Sequence, residues 1–168
     1  MQSRRLLLIR HGKAAAGGPD ADRPLTKRGT RQAAAIGAWL GRAGLAPDRV
    51  LVSPARRAAQ TWELADATAA PGERAIVDAR IYDNTVEALL AAIQETPEGI
   101  GTLAVVGHNP SIAELAAVLD DGRGSSKPRR AMEAGFGTGG VAVFTPATAF
   151  AEIAPGTATL TDFTRPGD

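Results

Sequence analysis

The chain contains no cysteine, only three lysines and few aromatic residues, and its formal net charge is +1. Without cysteine, disulfides, thiolate zinc sites and a cysteine nucleophile are excluded. The near-zero charge provides no broad field for nucleic acid, and no apolar run approaches the roughly 20 residues of a membrane-spanning helix. Because lysine is scarce, nearly all of the positive charge is guanidinium, which suits bidentate contacts with phosphate.

The length and composition are those of one globular domain. At 168 residues, with 44% apolar and 22% charged residues, the chain is long enough for a single hydrophobic core. We therefore expect residues 1–168 to form one domain. The apolar stretch from Leu6 to Ile9 is too short for the hydrophobic region of a signal peptide, so we expect a soluble, cytoplasmic protein. Because no long heptad pattern is present, we expect a monomer. The small net charge and the short apolar runs predict that it binds neither nucleic acid nor a membrane.

Short continuous apolar runs alternate with helical patterns over the first two thirds of the chain. The runs are typical of strands covered on both faces, and they are LLLI (6–9), VLV (50–52), AIV (75–77) and TLAVV (102–106). Apolar residues recur at helical spacing after Thr26, up to Leu40, and again from Val86 to Ile93. The alternation predicts an α/β fold with a mostly parallel sheet.

Other patterns are less regular. Ser53 followed by Pro54 predicts a helix start, and Ser111 predicts another. Residues 120–140 are rich in Gly, Arg, Ser and Lys without periodicity, which predicts a long mobile surface loop. Three later segments between Gly and Pro residues are predicted as strands, at least one of them at a sheet edge: VAVF (141–144), FAEI (150–153) and TLTDF (159–163).

The only two histidines of the chain follow two of the predicted strands. His11 comes after LLLIR and before Gly12, which allows a sharp turn and the close approach of a phosphate, and His108 comes after TLAVVG. Ligands of open α/β sheets bind at the carboxyl ends of the strands, so we expect both imidazoles at one edge. The run VLVSPARR brings the guanidinium groups of Arg56 and Arg57 towards the same edge.

Two imidazoles surrounded by arginines fit a phosphoryl group. Phosphoryl transfer needs mainly positioning and positive charge around the equatorial oxygens, which Arg10, Arg57 and His108 would supply. Histidine can act as a covalent nucleophile, and nearby guanidinium groups favour its neutral form. We predict that His11 is the nucleophile, because it has an arginine on one side and a glycine on the other.

These residues lie in motifs that resemble a known family. The segment LLLIRHGKA (6–14) resembles the signature of the histidine phosphatase superfamily. Further blocks resemble, in order and spacing, the small bacterial phosphohistidine phosphatases of the SixA type: PLTKRG (24–29), PDRVLVSPARRAAQT (47–61) and VVGHNP (105–110). The resemblance spans residues 6–110. It implies a phosphoglycerate mutase-like fold, a three-layer αβα sandwich with a mostly parallel central sheet, and a metal-independent phosphatase without a cofactor.

The resemblance also implies roles for individual residues. His11 would accept the phosphoryl group and form a covalent phosphohistidine, while Arg10, Arg57 and His108 would bind the phosphoryl oxygens. The family pattern S-P-x-x-R selects Arg57, and Arg56 is then free to face solvent. The implied partner is a phosphorylated protein, with phosphohistidine as the substrate, or a small phosphorylated metabolite.

The proton donor is the residue for which the family pattern gives the weakest match. Asp83 in RIYDN is the candidate, although Asp-Asn before Thr85 is also good turn and helix-cap chemistry. Another branch of the superfamily has an aspartate after the second histidine, where this chain has Asn109. An imidazole leaving group, with a pKa of about 6.5, needs less protonation than an alkoxide. The lack of a clearly matching proton donor therefore favours a phosphohistidine substrate.

Several alternatives remain open from the sequence alone. An enzyme of the same chemistry could act on a small phosphate ester, and a mutase is disfavoured because no room exists for a large lid between Asp83 and Thr102. A non-catalytic phosphate-binding module would keep the fold as an interaction surface. A zinc enzyme is disfavoured, since two histidines in unrelated blocks lack the spacing of a metal site.

Overall fold

The computed structural model describes residues 3–69 and 75–168. The strands are β1 (Arg5–Arg10), β2 (Arg49–Val52), β3 (Ala75–Val77), β4 (Thr102–Gly107), β5 (Val141–Pro146) and β6 (Ala158–Thr164). The helices are α1 (Lys27–Ala43), α2 (Arg56–Ala69), α3 (Ala79–Tyr82), α4 (Val86–Gln94), α5 (Ser111–Leu119) and α6 (Ser126–Ala134). Short 3-10 helices lie at Asp20–Asp22 and Phe150–Glu152. No helix in these two ranges is long and apolar enough to cross a membrane.

All six strands belong to one sheet in the order β3-β2-β4-β1-β5-β6. The pairs β3/β2, β2/β4 and β4/β1 are parallel, whereas β1/β5 and β5/β6 are antiparallel. The two antiparallel strands come last in the chain, and β6 lies at the edge of the sheet, as was predicted for at least one of the late segments. The prediction of an α/β fold with a mostly parallel sheet is confirmed.

Helices cover both faces of the sheet because alternate residues of the central strands point in opposite directions. Leu7 and Ile9 of β1 pack with Ile36 of α1 and Trp62 of α2. Leu6 and Leu8 lie on the other face, in the core that contains apolar residues of α4 and α5. The result is the predicted three-layer αβα arrangement, with the buried residues 6–9 of β1 and 103–106 of β4 at its centre.

Side-chain hydrogen bonds shape the starts of α1 and α2. Thr26 caps α1, since its side chain accepts a hydrogen bond from the Gly29 amide at 3.1 Å. The helix that was predicted to start at Ser53 and Pro54 begins two residues later, at Arg56. The Ser53 hydroxyl instead accepts a hydrogen bond from the Ala55 amide at 3.2 Å, which shapes the turn between β2 and α2.

The prediction of a loop without secondary structure over residues 120–140 was wrong. Residues Ser126–Ala134 form α6, which packs next to β6 and buries Pro128 and Met132, four residues apart on one side of the helix. Two apolar residues are too few to produce a periodic signal in the sequence. Pro128 fits because it lies in the first turn, where its missing amide hydrogen is not needed.

The prediction of a strand at residues 150–153 was also wrong. Residues Phe150–Glu152 form a 3-10 helix, and Phe150 and Ile153 are buried in the core. Strand β5 pairs instead with β6, from Val141 opposite Thr164 to Pro146 opposite Ala158. The apolar residues in FAEI are therefore side chains that anchor the connection between β5 and β6 in the core, and they do not indicate a strand.

Candidate functional site

Three neighbouring parallel strands bring the predicted site together. Strand β4 lies between β2 and β1, and the three strands end side by side at the same edge of the sheet. Ser53 follows β2, His108 follows β4 and His11 follows β1. Helix α2, which starts beyond Ser53, adds Arg57 from its first turn.

A pocket of about 300 Å³ opens at this edge. Its lining combines two imidazoles, four cationic side chains and several neutral polar groups: Arg10, His11, Lys13, Ala14, Arg23, Arg57, Asn84, His108, Asn109 and Thr138. The four predicted residues Arg10, His11, Arg57 and His108 thus line one cavity. Its positive side chains make it suitable for a dianionic group such as a phosphoryl group.

The His11 imidazole is held so that one particular nitrogen is free. Its Nδ1 lies 2.6 Å from the carbonyl oxygen of Gly12. A carbonyl oxygen only accepts hydrogen bonds, so Nδ1 carries the proton and donates. In a neutral imidazole the lone pair then belongs to Nε2. The side chain is buried, with 8% of its surface exposed, and it faces the pocket.

The environment keeps this imidazole neutral. Burial lowers the pKa of His11 from 6.5 to about 4; the hydrogen bond to Gly12 opposes this shift, and the charges of Arg57, Arg10 and Arg23 reinforce it. A group with a pKa of about 4 is almost entirely deprotonated near neutral pH. The lone pair on Nε2 is therefore available to an electrophile.

His108 lies against His11 with ring centroids 5.1 Å apart and an interplanar angle of 57°. Its Nε2 is 2.8 Å from the Ser53 hydroxyl oxygen, whereas its Nδ1 is buried and has no hydrogen-bond partner among the described residues. Burial, followed by the neighbouring His11 and Arg57, lowers the pKa of His108 to about 3. The ring is thus neutral and keeps one nitrogen for a further contact.

The two arginines also keep free donors. Arg10 donates from Nη1 to the Phe136 carbonyl oxygen at 3.0 Å. Arg57 donates from Nη1 to the backbone oxygen of Asp20 at 2.8 Å and from Nη2 to the Asp20 carboxylate at 3.1 Å. The Nε atoms of both arginines are buried without a partner in the described part of the chain. Since a guanidinium group carries five N–H bonds, both arginines can also bind an anion.

Gly12 is needed for close packing rather than for an unusual backbone angle, because it is not among the residues with positive φ. A Cβ at this position would lie 2.7 Å from the backbone oxygen of Gly29 in α1. The Gly12 amide donates to the hydroxyl of buried Thr61 at 3.0 Å, and that hydroxyl donates to the Arg57 carbonyl at 2.7 Å. Thr61 therefore links the turn after His11 to the helix that carries Arg57.

The structure does not bring Asp83 into the pocket. Asp83 is exposed at the end of α3, and the next residue, Asn84, lines the cavity instead. Asn84 has a φ of 63°, and its side chain bonds the segment that follows β4. Its Nδ2 donates to the Asn109 backbone oxygen at 2.9 Å, and its Oδ1 accepts from the Ser111 backbone amide at 3.1 Å. Arg56 is exposed, as expected.

The sequence analysis missed Asp20, Arg23 and Tyr82. The Asp20 carboxylate accepts hydrogen bonds from Arg23, Arg57 and Tyr82, and the Tyr82 ring lies edge-on to His108 at 5.8 Å between centroids. The spacing of Asp20 and Arg23 is a weak signal that many surface turns share. Within the described residues, no group of three or more His, Asp or Glu side chains is arranged to hold a metal ion.

Comparisons with known proteins show the family to which the chain belongs. Residues 6–84 match the family model of the histidine phosphatase superfamily, branch 1. Phosphohistidine phosphatase SixA of Escherichia coli strain K12 is 32% identical over 120 residues, which are 70% of this chain and 74% of the relative. This chain belongs to the histidine phosphatase superfamily. The resemblance predicted from the R-H-G block and the blocks after it is confirmed.

Solved structures extend the likeness beyond the matched motifs. A proposed phosphohistidine phosphatase SixA from Nakamurella multipartitia has a TM-score of 0.86 and 32% identity, covering 99% of this chain and 98% of that one. The protein histidine phosphatase SixA complexed with tungstate has a TM-score of 0.78 and 28% identity, covering 96% and 97%. The superfamily fold thus includes the later strands and α6, for which the sequence motifs gave no evidence.

Proposed function

We propose that this protein is a metal-independent phosphohistidine phosphatase that transfers the phosphoryl group to Nε2 of His11. The observation that carries the proposal is the hydrogen bond from His11 Nδ1 to the Gly12 carbonyl, because it leaves the lone pair on Nε2 in a pocket lined by cations. Membership of a phosphatase superfamily supports the same reaction class.

Positive side chains would stabilise the charge that develops around phosphorus. The buried Nε atoms of Arg10 and Arg57 have no hydrogen-bond partner within residues 3–69 and 75–168. Preorganised donors of this kind cost no reorganisation when charge develops, so their effect on the rate is large. The free Nδ1 of His108 would donate a further hydrogen bond if the Ser53 hydroxyl donates to Nε2.

The reaction would take place in two displacements. In the first, the lone pair of His11 Nε2 forms a bond to phosphorus while the bond between phosphorus and the substrate imidazole breaks; the leaving nitrogen takes a proton from solvent. In the second, the oxygen of water bonds to phosphorus, the bond between phosphorus and Nε2 breaks, and inorganic phosphate leaves with the protons of the water molecule. His11 regains its lone pair, with Nδ1 bonded to Gly12 throughout.

Two observations support phosphohistidine as the substrate. The relative from Escherichia coli is named a phosphohistidine phosphatase. In addition, hydrogen bonds from Tyr82, Arg23 and Arg57 hold the pKa of Asp20 well below its usual range, so this carboxylate is ionised and does not provide a proton. An imidazole leaving group, unlike an alkoxide, departs readily without a strong acid.

The finer expectations from the sequence belong to the same proposal. We propose that the natural substrate is a phosphorylated protein, that the enzyme acts as a cytoplasmic monomer, and that residues 1–168 form one domain. Arg10, Arg57 and His108 are proposed as phosphoryl-binding residues. The role of Asp83 as proton donor stays a prediction from the sequence. Asp83 is exposed and does not line the pocket, so its position does not support that role.

Hydrolysis of a phosphohistidine-bearing protein in excess EDTA tests the proposal. We expect turnover by the wild type and a loss of roughly 1,000-fold or more in the His11→Asn variant. Asparagine is a suitable replacement because its Nδ2 can donate to the Gly12 carbonyl as Nδ1 of histidine does. Brief incubation with 32P-labelled substrate and an alkaline quench should place the label on His11.

Arg56 and Arg57 provide a matched pair of controls, since they are adjacent but only Arg57 lines the pocket. Arg57→Gln should lower kcat/KM by about 100-fold, as expected for the loss of a transition-state donor, whereas Arg56→Gln should leave it unchanged. Turnover of sugar or nucleotide phosphates in preference to phosphohistidine would favour the ester phosphatase. If no phosphorylated compound is hydrolysed, the chain is a phosphate-binding module.

A further inference from the structure

One exposed carboxylate, Asp20, gathers more polar contacts than any other group near the pocket. Its 3-10 helix lies in the 14–25 segment, which connects β1 to α1. A bridge between Ala14 and Leu25 closes this segment, and the Ala15 amide donates to the Pro24 carbonyl at 2.8 Å. The ends of the segment are thus fixed, and Asp20 lies on the part that faces α2.

The carboxylate contacts three side chains from three parts of the chain. One oxygen accepts from Nε and Nη2 of Arg23, at 3.1 and 3.0 Å. The other accepts from Nη2 of Arg57 at 3.1 Å and from the Tyr82 hydroxyl at 2.6 Å. The backbone oxygen of Asp20 also accepts from Nη1 of Arg57 at 2.8 Å. Both terminal nitrogens of Arg57 are therefore bound to a single residue.

This double contact defines the plane of the Arg57 guanidinium. Two fixed hydrogen bonds to one partner restrain a planar group more than either bond does alone. The Arg57 side chain is only 7% exposed, and its remaining donors are Nε and one N–H on each terminal nitrogen. Those donors are the ones available to a phosphoryl oxygen.

We propose that Asp20 is a positioning residue that orients the Arg57 guanidinium for the phosphoryl group. The inference rests on the proposed function, because it gives Arg57 its role in the pocket. Arg23, which also lines the pocket, is oriented by the same carboxylate. Tyr82 of α3 donates a hydrogen bond from its hydroxyl to the Asp20 carboxylate, and the Tyr82 ring packs edge-on against His108.

A simpler role for Asp20 makes the opposite prediction. If Asp20 only added a negative charge, or occupied space that the substrate needs, then neutralising it would strengthen the binding of an anion. If Asp20 orients Arg57, the same substitution weakens anion binding and lowers the rate, despite the more favourable net charge. The sign of the effect therefore separates the two roles.

Tungstate, a tetrahedral oxyanion, is a suitable probe of the pocket because its binding requires no turnover. Calorimetry should compare wild type, Asp20→Asn and Asp22→Asn. Asp22 is the matched control, since it is exposed on the same 3-10 helix and forms no ion pair with the described residues. We expect Asp20→Asn to bind tungstate about 10-fold more weakly, and Asp22→Asn to bind it as tightly as wild type or more tightly.

Kinetics with a phosphohistidine protein complete the test. Asp20→Asn should lower kcat by about 10-fold with a smaller change in KM. An Arg57 guanidinium that is wrongly oriented stabilises the transition state less, and this loss affects kcat more than substrate binding. In an Arg57→Gln background, Asp20→Asn should lower kcat much less than in the wild type if Asp20 acts mainly through Arg57, because only its contact with Arg23 then remains. Unchanged near-ultraviolet circular dichroism verifies that each variant is folded.

Two results would overturn the proposal: tighter tungstate binding by Asp20→Asn than by Asp22→Asn, or a full additional loss of activity in the double variant. Failure of the proposed function gives a different result. In that case His11→Asn retains hydrolysis, or the wild type has none, while the comparison of tungstate affinities still reports on Asp20 and Arg57.

Discussion

At the scale of single residues, the site depends on which nitrogen of each histidine is bound. His11 Nδ1 lies against the Gly12 carbonyl, which leaves the lone pair on Nε2, whereas His108 Nε2 bonds Ser53 and its Nδ1 has no partner among the residues that the structure describes. Burial and nearby guanidinium groups disfavour the protonation of both rings. Neutrality thus comes from the pocket itself and does not require a separate base.

The two imidazoles should stay neutral in mildly acidic solution. The pKa values of about 4 for His11 and about 3 for His108 predict that neither ring titrates between neutral pH and about pH 5, where an exposed histidine with a pKa near 6.5 becomes charged. Because the chain has only two histidines, their ring signals can be followed by nuclear magnetic resonance. His11→Asn assigns them, and a midpoint near 6.5 for either ring would contradict the structure.

Sequence patterns found the residues at strand ends but not those in the short helical turns that connect the larger elements. Arg10, His11 and His108 follow short apolar runs, and parallel strands that end at one edge must bring such residues together. Asp20 and Tyr82 are 62 positions apart and meet because the 14–25 segment folds back onto α2 and α3. No periodicity fixes the path of such a segment, so sequence patterns could not pair them.

At the scale of elements, glycines allow α1 to lie unusually close to its neighbours. A Cβ on Gly29 would overlap the Lys13 backbone oxygen, in the turn directly after His11 and Gly12. A Cβ on Gly37, two turns further along α1, would overlap Ala65 and Thr68 of α2. The first contact supports the turn beside the pocket, whereas the second only joins two helices.

Alanine at these two positions should therefore have different consequences. Both Gly29→Ala and Gly37→Ala should lower the free energy of unfolding by about 1–3 kcal/mol, since backbone atoms must move to admit a methyl group. Only Gly29→Ala should also lower kcat/KM, because the displaced atoms adjoin His11. Urea denaturation and phosphohistidine hydrolysis provide the two measurements. Equal activity of both variants would show that α1 does not fix the turn.

Element prediction from the sequence succeeded where apolar residues were numerous. Strands β1, β2 and β4 and helix α1 were predicted because their buried residues produce continuous apolar runs or a sustained helical period. Strand β3 was also predicted, but the expectation that it is covered on both faces was wrong, because its three residues are exposed at the edge of the sheet. Helix α6 buries only Pro128 and Met132, and the 3-10 helix at 150–152 is a single turn. Their structure depends on packing against the rest of the core, which a local pattern does not encode.

At the scale of the whole molecule, the neutral pocket affects folding stability. Both histidines have folded pKa values below the unfolded value near 6.5, so the unfolded chain binds more protons as the pH falls below that value. Their contribution to stability is fully present above about pH 6.5 and is lost towards pH 4. Carboxylates with lowered pKa values, such as Asp78 and Asp120, lose their contribution only below about pH 4.

The interval between about pH 6 and pH 5 therefore isolates the histidines. The free energy of unfolding should fall there with a slope approaching about 1.4 kcal/mol per pH unit for each histidine, because each takes up one proton only on unfolding. Urea denaturation at several pH values measures the slope. His108→Gln, whose amide can still bond Ser53, should reduce it by half, and His11→Asn should do the same. A wild-type stability that is constant across this interval would mean that both imidazoles are already charged in the folded protein, and the proposed nucleophile would then lack its lone pair.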